Sequence, residues 1–189
     1  MQNDFLNAVE FSHYLLKKEV KVGAVVVDAT AGNGHDTKFL ANLVGKKGEV
    51  YAFDIQQEAL DNTADLLEVN SLMKQCQLIK SDHAELDQYI EKELDAVIFN
   101  LGYLPGGNKE IITESKSTIT ALKKSLELLK VKGIIILVIY SGHSGGEKEK
   151  KSVLEYSSNL DYKKYNVLNY KFLNQPGPPP EIIAIKKRK

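Results

Sequence analysis

A chain of 189 residues with 43% hydrophobic content can bury a substantial core in one domain, residues 1–189, and no composition shift marks a second. Its 25 basic and 25 acidic residues cancel, so any nucleic-acid contact must come from a local patch rather than a basic surface overall. No apolar run approaches the ~20 residues of a spanning helix, and the first ten residues carry two acids and no basic n-region, which argues against a membrane partner and for a cytoplasmic protein.

The first element, residues 4–18, reads as a helix with Phe5, Val9, Phe11, Leu15 and Leu16 as its apolar face. Strands follow at 23–28, 49–54, 76–80, 95–101 and 133–140, with helices near 36–44, 57–69, 84–91, 115–130 and 146–159. Such alternation predicts a parallel sheet with helices on both faces. Lys164–Tyr170 and Ile182–Lys186 read as two more strands, joined by the proline-rich 174–180 segment. No helix fits between them, so this last pair is expected to be antiparallel.

The most informative stretch is Val25-Val26-Val27-Asp28-Ala29-Thr30-Ala31-Gly32-Asn33-Gly34-His35-Asp36-Thr37. The β-branched run suits a buried parallel strand, the two glycines allow a tight turn against a ligand, and Asp36-Thr37 opens a helix with Phe39, Leu40, Leu43 and Val44 inward. Asp54 ends the next strand, where a carboxylate can accept both hydroxyls of a ribose. A dinucleotide fingerprint needs a third small residue where Thr37 stands, which weakens a nicotinamide-cofactor reading. Cys76 is the sole cysteine, so an internal disulfide is excluded and a structural zinc site is disfavoured; no metal is expected.

Asp28-x-x-x-Gly32-x-Gly34 resembles the first motif of class I S-adenosylmethionine methyltransferases, and the predicted sheet agrees: α/β, Rossmann-like, seven strands, mostly parallel, with a C-terminal antiparallel pair. In that reading Asp82, after the third strand, accepts from the adenine amino group and His83 packs beside the nucleoside. The simpler reading is that Ser81 or Asp82 caps a helix, and both can hold together. Asn100-Leu101-Gly102-Tyr103-Leu104-Pro105-Gly106-Gly107, after the fourth strand, is similar to the Asn-Pro-Pro-Tyr element of amino-group methyltransferases. Leu101-Gly102 replace its prolines, so the acceptor geometry does not carry over whole. The fifth strand ends in Tyr140-Ser141-Gly142-His143-Ser144-Gly145-Gly146, a glycine-rich site loop whose histidine can contact substrate or take a proton.

Together, Asp28 through Ala41, Asn100 through Gly107, Tyr140 through Gly146 and the 174–180 segment resemble the MnmM family, also described as YtqB-like or rRNA methylases. The resemblance spans nearly the whole chain. It implies a cytoplasmic, commonly homodimeric tRNA methyltransferase that uses S-adenosylmethionine to methylate 5-aminomethyl-2-thiouridine at the wobble position of the anticodon stem-loop. By position it implies cofactor contacts at Asp28, Asn33, Gly34, Asp36, Thr37, Asp54, Gln56, Asp82 and His83, with Asp28 orienting the loop or meeting the amino group through water. It also implies catalytic roles for Asn100, Tyr103 and His143, with Tyr103, Tyr140 and His143 facing the modified uridine. An rRNA or small-molecule methyltransferase and a non-catalytic nucleotide-binding protein are the alternatives. Clustering of Lys148, Lys150, Lys151 and the tail Lys186-Lys187-Arg188-Lys189 around the pocket mouth would favour RNA, and scattered lysines would count against it.

Overall fold

A computed structural model describes residues 5–102, 112–143 and 145–189. Seven strands form one sheet: β1 (Val25–Asp28), β2 (Glu49–Asp54), β3 (Cys76–Lys80), β4 (Leu94–Leu101), β5 (Leu129–Ile139), β6 (Tyr165–Tyr170) and β7 (Glu181–Lys187). Their order is β3-β2-β1-β4-β5-β7-β6. The first five run parallel, while β7 lies antiparallel to both β5 and β6. The expected sheet is therefore present, with β7 inserted between β5 and β6.

Period-two alternation distributes the strand side chains between two cores. Val26, Val50, Ala96, Ile98 and Ile136 face α1 (Ala8–Glu19), α2 (His35–Val44) and α3 (Gln57–Val69). Val27, Phe53, Val97, Phe99 and Leu137 face α4 (Ser115–Leu128) and α5 (Gly146–Ser158). Both faces of the central strands are dry, which explains why β1 and β4 read as continuous apolar runs.

Three boundaries differ from expectation. The first helix starts at Ala8, because Asn7 accepts the Glu10 amide and Glu10 returns a carboxylate to the Asn7 amide, a reciprocal cap. That start turns Ala8, Ser12 and Leu16 inward, with Phe11 and Leu15 half-buried. Phe5 and Val9, expected in the apolar face, are instead exposed. The helix expected at 84–91 is a 3₁₀ stretch over His83–Gln88. The helix expected to reach 130 stops at Leu128, and β5 begins at the next residue. Among the described residues no helix is long and apolar enough to cross a membrane.

Candidate active site

The parallel strands aim their carboxyl ends at one rim, and there a cavity of about 710 Å³ opens between the loops after β1, β2, β3, β4 and β5. The β1 turn is built first. Asp28, fully buried, accepts from the Thr30 amide at 3.1 Å and the Thr37 hydroxyl at 2.6 Å, folding the loop back onto the first turn of α2. Burial, reinforced by the nearby Asp36 carboxylate, pushes the Asp28 carboxyl up to about 7. Gly34 sits at φ +78° as the N-cap of α2, and a Cβ there would stand 2.9 Å from the Thr63 backbone, so both conformation and space require glycine.

Asp54, at the tip of β2, accepts the Gly32 amide at one oxygen and the Gln56 amide at the other, both at 2.9 Å. It thus ties the glycine turn to the second strand while lining the cavity. Asp82 accepts the Ala84 amide at 2.8 Å and the Ser117 hydroxyl. Burial opposes its charge, but these hydrogen bonds hold its carboxyl below the usual range. It also lines the cavity, so capping and site placement coexist. His83 donates from Nδ1 to the Ala29 carbonyl at 3.0 Å, and burial pushes its imidazole below the usual range. Nε2 is then a buried acceptor, without a hydrogen-bond partner, on a residue of the cavity wall.

Asn100, at the end of β4, is fixed at two points. Its backbone amide donates to the Thr30 hydroxyl at 2.7 Å and its side-chain amide donates to Asp36 Oδ2 at 2.9 Å. The other Asp36 oxygen lies 2.6 Å from Nε2 of His13 on α1. Tyr140 completes the wall, its hydroxyl pushed above the usual range by burial and by Asp36.

Of the expected residues, the cavity wall brings together Asn33, Asp36, Asp54, Gln56, Asp82, His83, Asn100 and Tyr140. Asp28, Gly34 and Thr37, expected at the cofactor, are not part of the wall; they shape the turn from behind. His143 also lies off the wall, its Nε2 3.9 Å from where a Cβ on Gly102 would stand. Tyr103 lies outside the described residues. Reading by motif missed Ile112, Thr113, Glu114 and Ser117, which face the cavity from the segment entering α4. It also missed Glu149, a buried carboxylate on α5 that anchors this segment by accepting from Thr113 at 2.7 Å and Thr118 at 2.6 Å. Each of these meets its partners only through long-range packing, which leaves no local signature.

The basic residues divide between the two ends of the sheet. Lys186 pairs in register with Ile134 at the middle of β5, five residues before its carboxyl end, and its ammonium meets Glu19. Lys187 donates to the Leu126 and Leu129 carbonyls, and Arg188 to the Tyr162 carbonyl. The tail therefore does not join Lys148, Lys150 and Lys151 at the pocket mouth, and on that criterion it counts against RNA while the three α5 lysines count for it. Lys150 sits at the cavity end, paired with the buried Glu181 at 2.8 Å. Exposed Lys148 and Lys151 occupy the first turns of α5 on the same side.

These groups fit S-adenosylmethionine. The volume suits a cofactor of that size. Asp54 has lone pairs left for ribose hydroxyls, and Asp82 on the wall keeps acceptor capacity for an amino group. The described lining residues include Asp36, Asp54, Asp82 and Glu114 but no lysine or arginine, a setting that favours a sulfonium cation.

Known proteins share this fold. Residues 50–186 match the family model described as "Putative rRNA methylase". An Arabidopsis thaliana protein named "tRNA (mnm(5)s(2)U34)-methyltransferase, chloroplastic" is 38% identical over 95% of this chain and 69% of its own length. The crystal structure of a "putative rRNA-methylase" from Clostridium thermocellum superposes with a TM-score of 0.95 at 46% identity, covering 97% of this chain and 98% of that one. A "putative methyltransferase" from Streptococcus mutans, solved in complex with SAH, superposes with a TM-score of 0.90 at 39% identity, covering 97% and 99%. The match extends through the sheet and the loops that surround the cavity, and the chain belongs to the "Putative rRNA methylase" family of S-adenosylmethionine-dependent methyltransferases.

Proposed function

We propose that the protein methylates the amino nitrogen of 5-aminomethyl-2-thiouridine at the wobble position of tRNA, as a cytoplasmic homodimer in which residues 1–189 form one catalytic domain. The observation that supports an amine acceptor is the Asn100 amide at the rim of the cavity, clamped by Asp36 in a wall without lysine or arginine among its described residues. The likeness to the Arabidopsis enzyme supports the choice of nucleoside and position.

S-adenosylmethionine supplies an electrophilic methyl carbon on a sulfonium. The neutral acceptor nitrogen forms the new N–C bond as the C–S bond breaks, and positive charge passes from sulfur to nitrogen. Asp36, one hydrogen bond from Asn100, supplies negative charge beside that developing cation. Asn100 would orient the amine, and Tyr140 on the wall, together with His143 beyond it, would face the uridine. Rate enhancement then rests mainly on in-line placement of nitrogen, carbon and sulfur. An anionic carboxymethyl group would be disfavoured in the same acidic setting, whereas a neutral amine would not be.

The alternatives are an rRNA or a small-molecule acceptor. Total RNA from cells lacking wobble-uridine methylation, incubated with protein and methyl-labelled S-adenosylmethionine, is expected to carry label in the tRNA fraction. Label confined to rRNA would overturn the tRNA assignment, and label in neither would redirect the search to small molecules.

A further inference from the structure

His13 lies outside every motif of the chain, on α1, yet it reaches the centre of the site. Its ring stacks face to face on Phe39 of α2, with centroids 3.7 Å apart and planes 6° from parallel. Nε2 stands 2.6 Å from Asp36 Oδ1, and Asp36 Oδ2 accepts from Asn100 Nδ2 at 2.9 Å. A carboxylate only accepts hydrogen bonds, so both neighbours must present protons to it: His13 through Nε2–H, Asn100 through its NH₂. The stacked ring gives the imidazole little freedom to turn away. Since the Asn100 backbone is itself held by Thr30, the remaining freedom of this residue is the sense of its amide.

We infer that His13 is a positioning residue for methyl transfer: its Nε2–H holds the Asp36 carboxylate where Oδ2 keeps the Asn100 NH₂, leaving the carbonyl Oδ1 to accept from the substrate amine; with Asp36 released, the amide is free to reverse. This rests on the reading above in which Asn100 meets the acceptor nitrogen. With the amide reversed, an NH₂ group would confront the N–H bonds of the amine, and orientation would be lost without any loss of the cofactor pocket. The contact also explains why an N-terminal helix with a partly exposed apolar face is packed against the start of α2.

The test compares His13→Leu, which removes the donor, with His13→Gln, whose Nε2 amide can reach Asp36 in its place. His13→Leu is expected to lower kcat on aminomethyl tRNA by about tenfold or more, the scale of one lost hydrogen bond to a charged group. The dissociation constant for S-adenosylhomocysteine should change by less than about threefold, because that pocket is left standing. In protein labelled with ¹⁵N-asparagine, the Asn100 side-chain amide should lose exchange protection in His13→Leu. His13→Gln should restore both the amide protection and most of kcat. Equal loss of kcat in the two variants, tracking a fall in Tm, would overturn the inference, as would unchanged Asn100 protection in His13→Leu. Should His13→Leu fail to fold, His13→Asn, whose shorter amide falls short of Asp36, takes its place. If the wild type does not methylate aminomethyl tRNA, the proposed function fails, while the amide resonances still decide whether His13 governs Asn100.

Discussion

Two aspartates at strand ends carry different burdens. Asp54 both holds the Gly32 and Gln56 amides and faces the cavity. Asp54→Ala should weaken S-adenosylmethionine binding by about 10–100-fold, one or two charge-assisted hydrogen bonds at about 1.5–3 kcal/mol each, while the fold survives. Titration calorimetry showing unchanged affinity would mean the ribose lies elsewhere. Asp28 lies behind the cavity wall. Its carboxyl is pushed up to about 7 from 3.8, so the folded state binds its proton more tightly than the unfolded chain does. The resulting stability is complete below the unfolded value and is lost as pH rises through about 7. Urea denaturation of wild type and Asp28→Asn should therefore show the variant gaining relative stability across that window, and parallel profiles would contradict it. Asp28, Gly32 and Gly34 were legible because they fall within one short turn, and Asp54 because it ends the strand that follows the helix after that turn. His13 was not, because it belongs to no such strand-turn-helix pattern and only helix packing joins it to Asp36.

Among the elements, the turn between β1 and α2 is the most tightly specified. Gly34 and Gly177 share φ +78°, but a Cβ at Gly34 meets Thr63 while one at Gly177 meets nothing within 4 Å. Gly34→Ala should therefore cost more than Gly177→Ala, by about 1–3 kcal/mol, because overpacking adds to the left-handed backbone. It should also weaken the cofactor, since the turn carries Gly32 and Asn33 on the wall. Equal losses in the two variants, measured by thermal denaturation, would show that Thr63 yields. The strands at the sheet centre were readable from β-branched runs, and the C-terminal antiparallel pair from its helix-free, proline-rich connection. Helix ends were harder. The Asn7–Glu10 cap moved α1 away from Phe5, and the Asp82 cap led into a 3₁₀ turn rather than a full helix. In both places a side chain that hydrogen-bonds its own backbone outweighed the apolar spacing.

Across the whole molecule, charge is sorted by the two ends of the sheet. The tail lysines meet Glu19 and helix-end carbonyls at the far edge, whereas Lys148 and Lys151 stand on the cavity side. Net neutrality could not disclose that division, since it depends on β7 running antiparallel to β5. Lys148→Glu combined with Lys151→Glu should raise KM for tRNA and flatten its salt dependence while leaving S-adenosylmethionine affinity intact. The same exchange at Lys189 should do neither, and equal effects from both ends would place the RNA elsewhere.

Methyl transfer to a wobble aminomethyl uridine leaves its product in the tRNA, where nucleoside identification detects it. The purified protein and S-adenosylmethionine would be incubated with tRNA from a strain lacking wobble-uridine methylation, and the digested nucleosides resolved by mass spectrometry. The expected result is that 5-aminomethyl-2-thiouridine disappears as 5-methylaminomethyl-2-thiouridine accumulates. Persistence of the aminomethyl nucleoside, with cofactor binding intact, would contradict it.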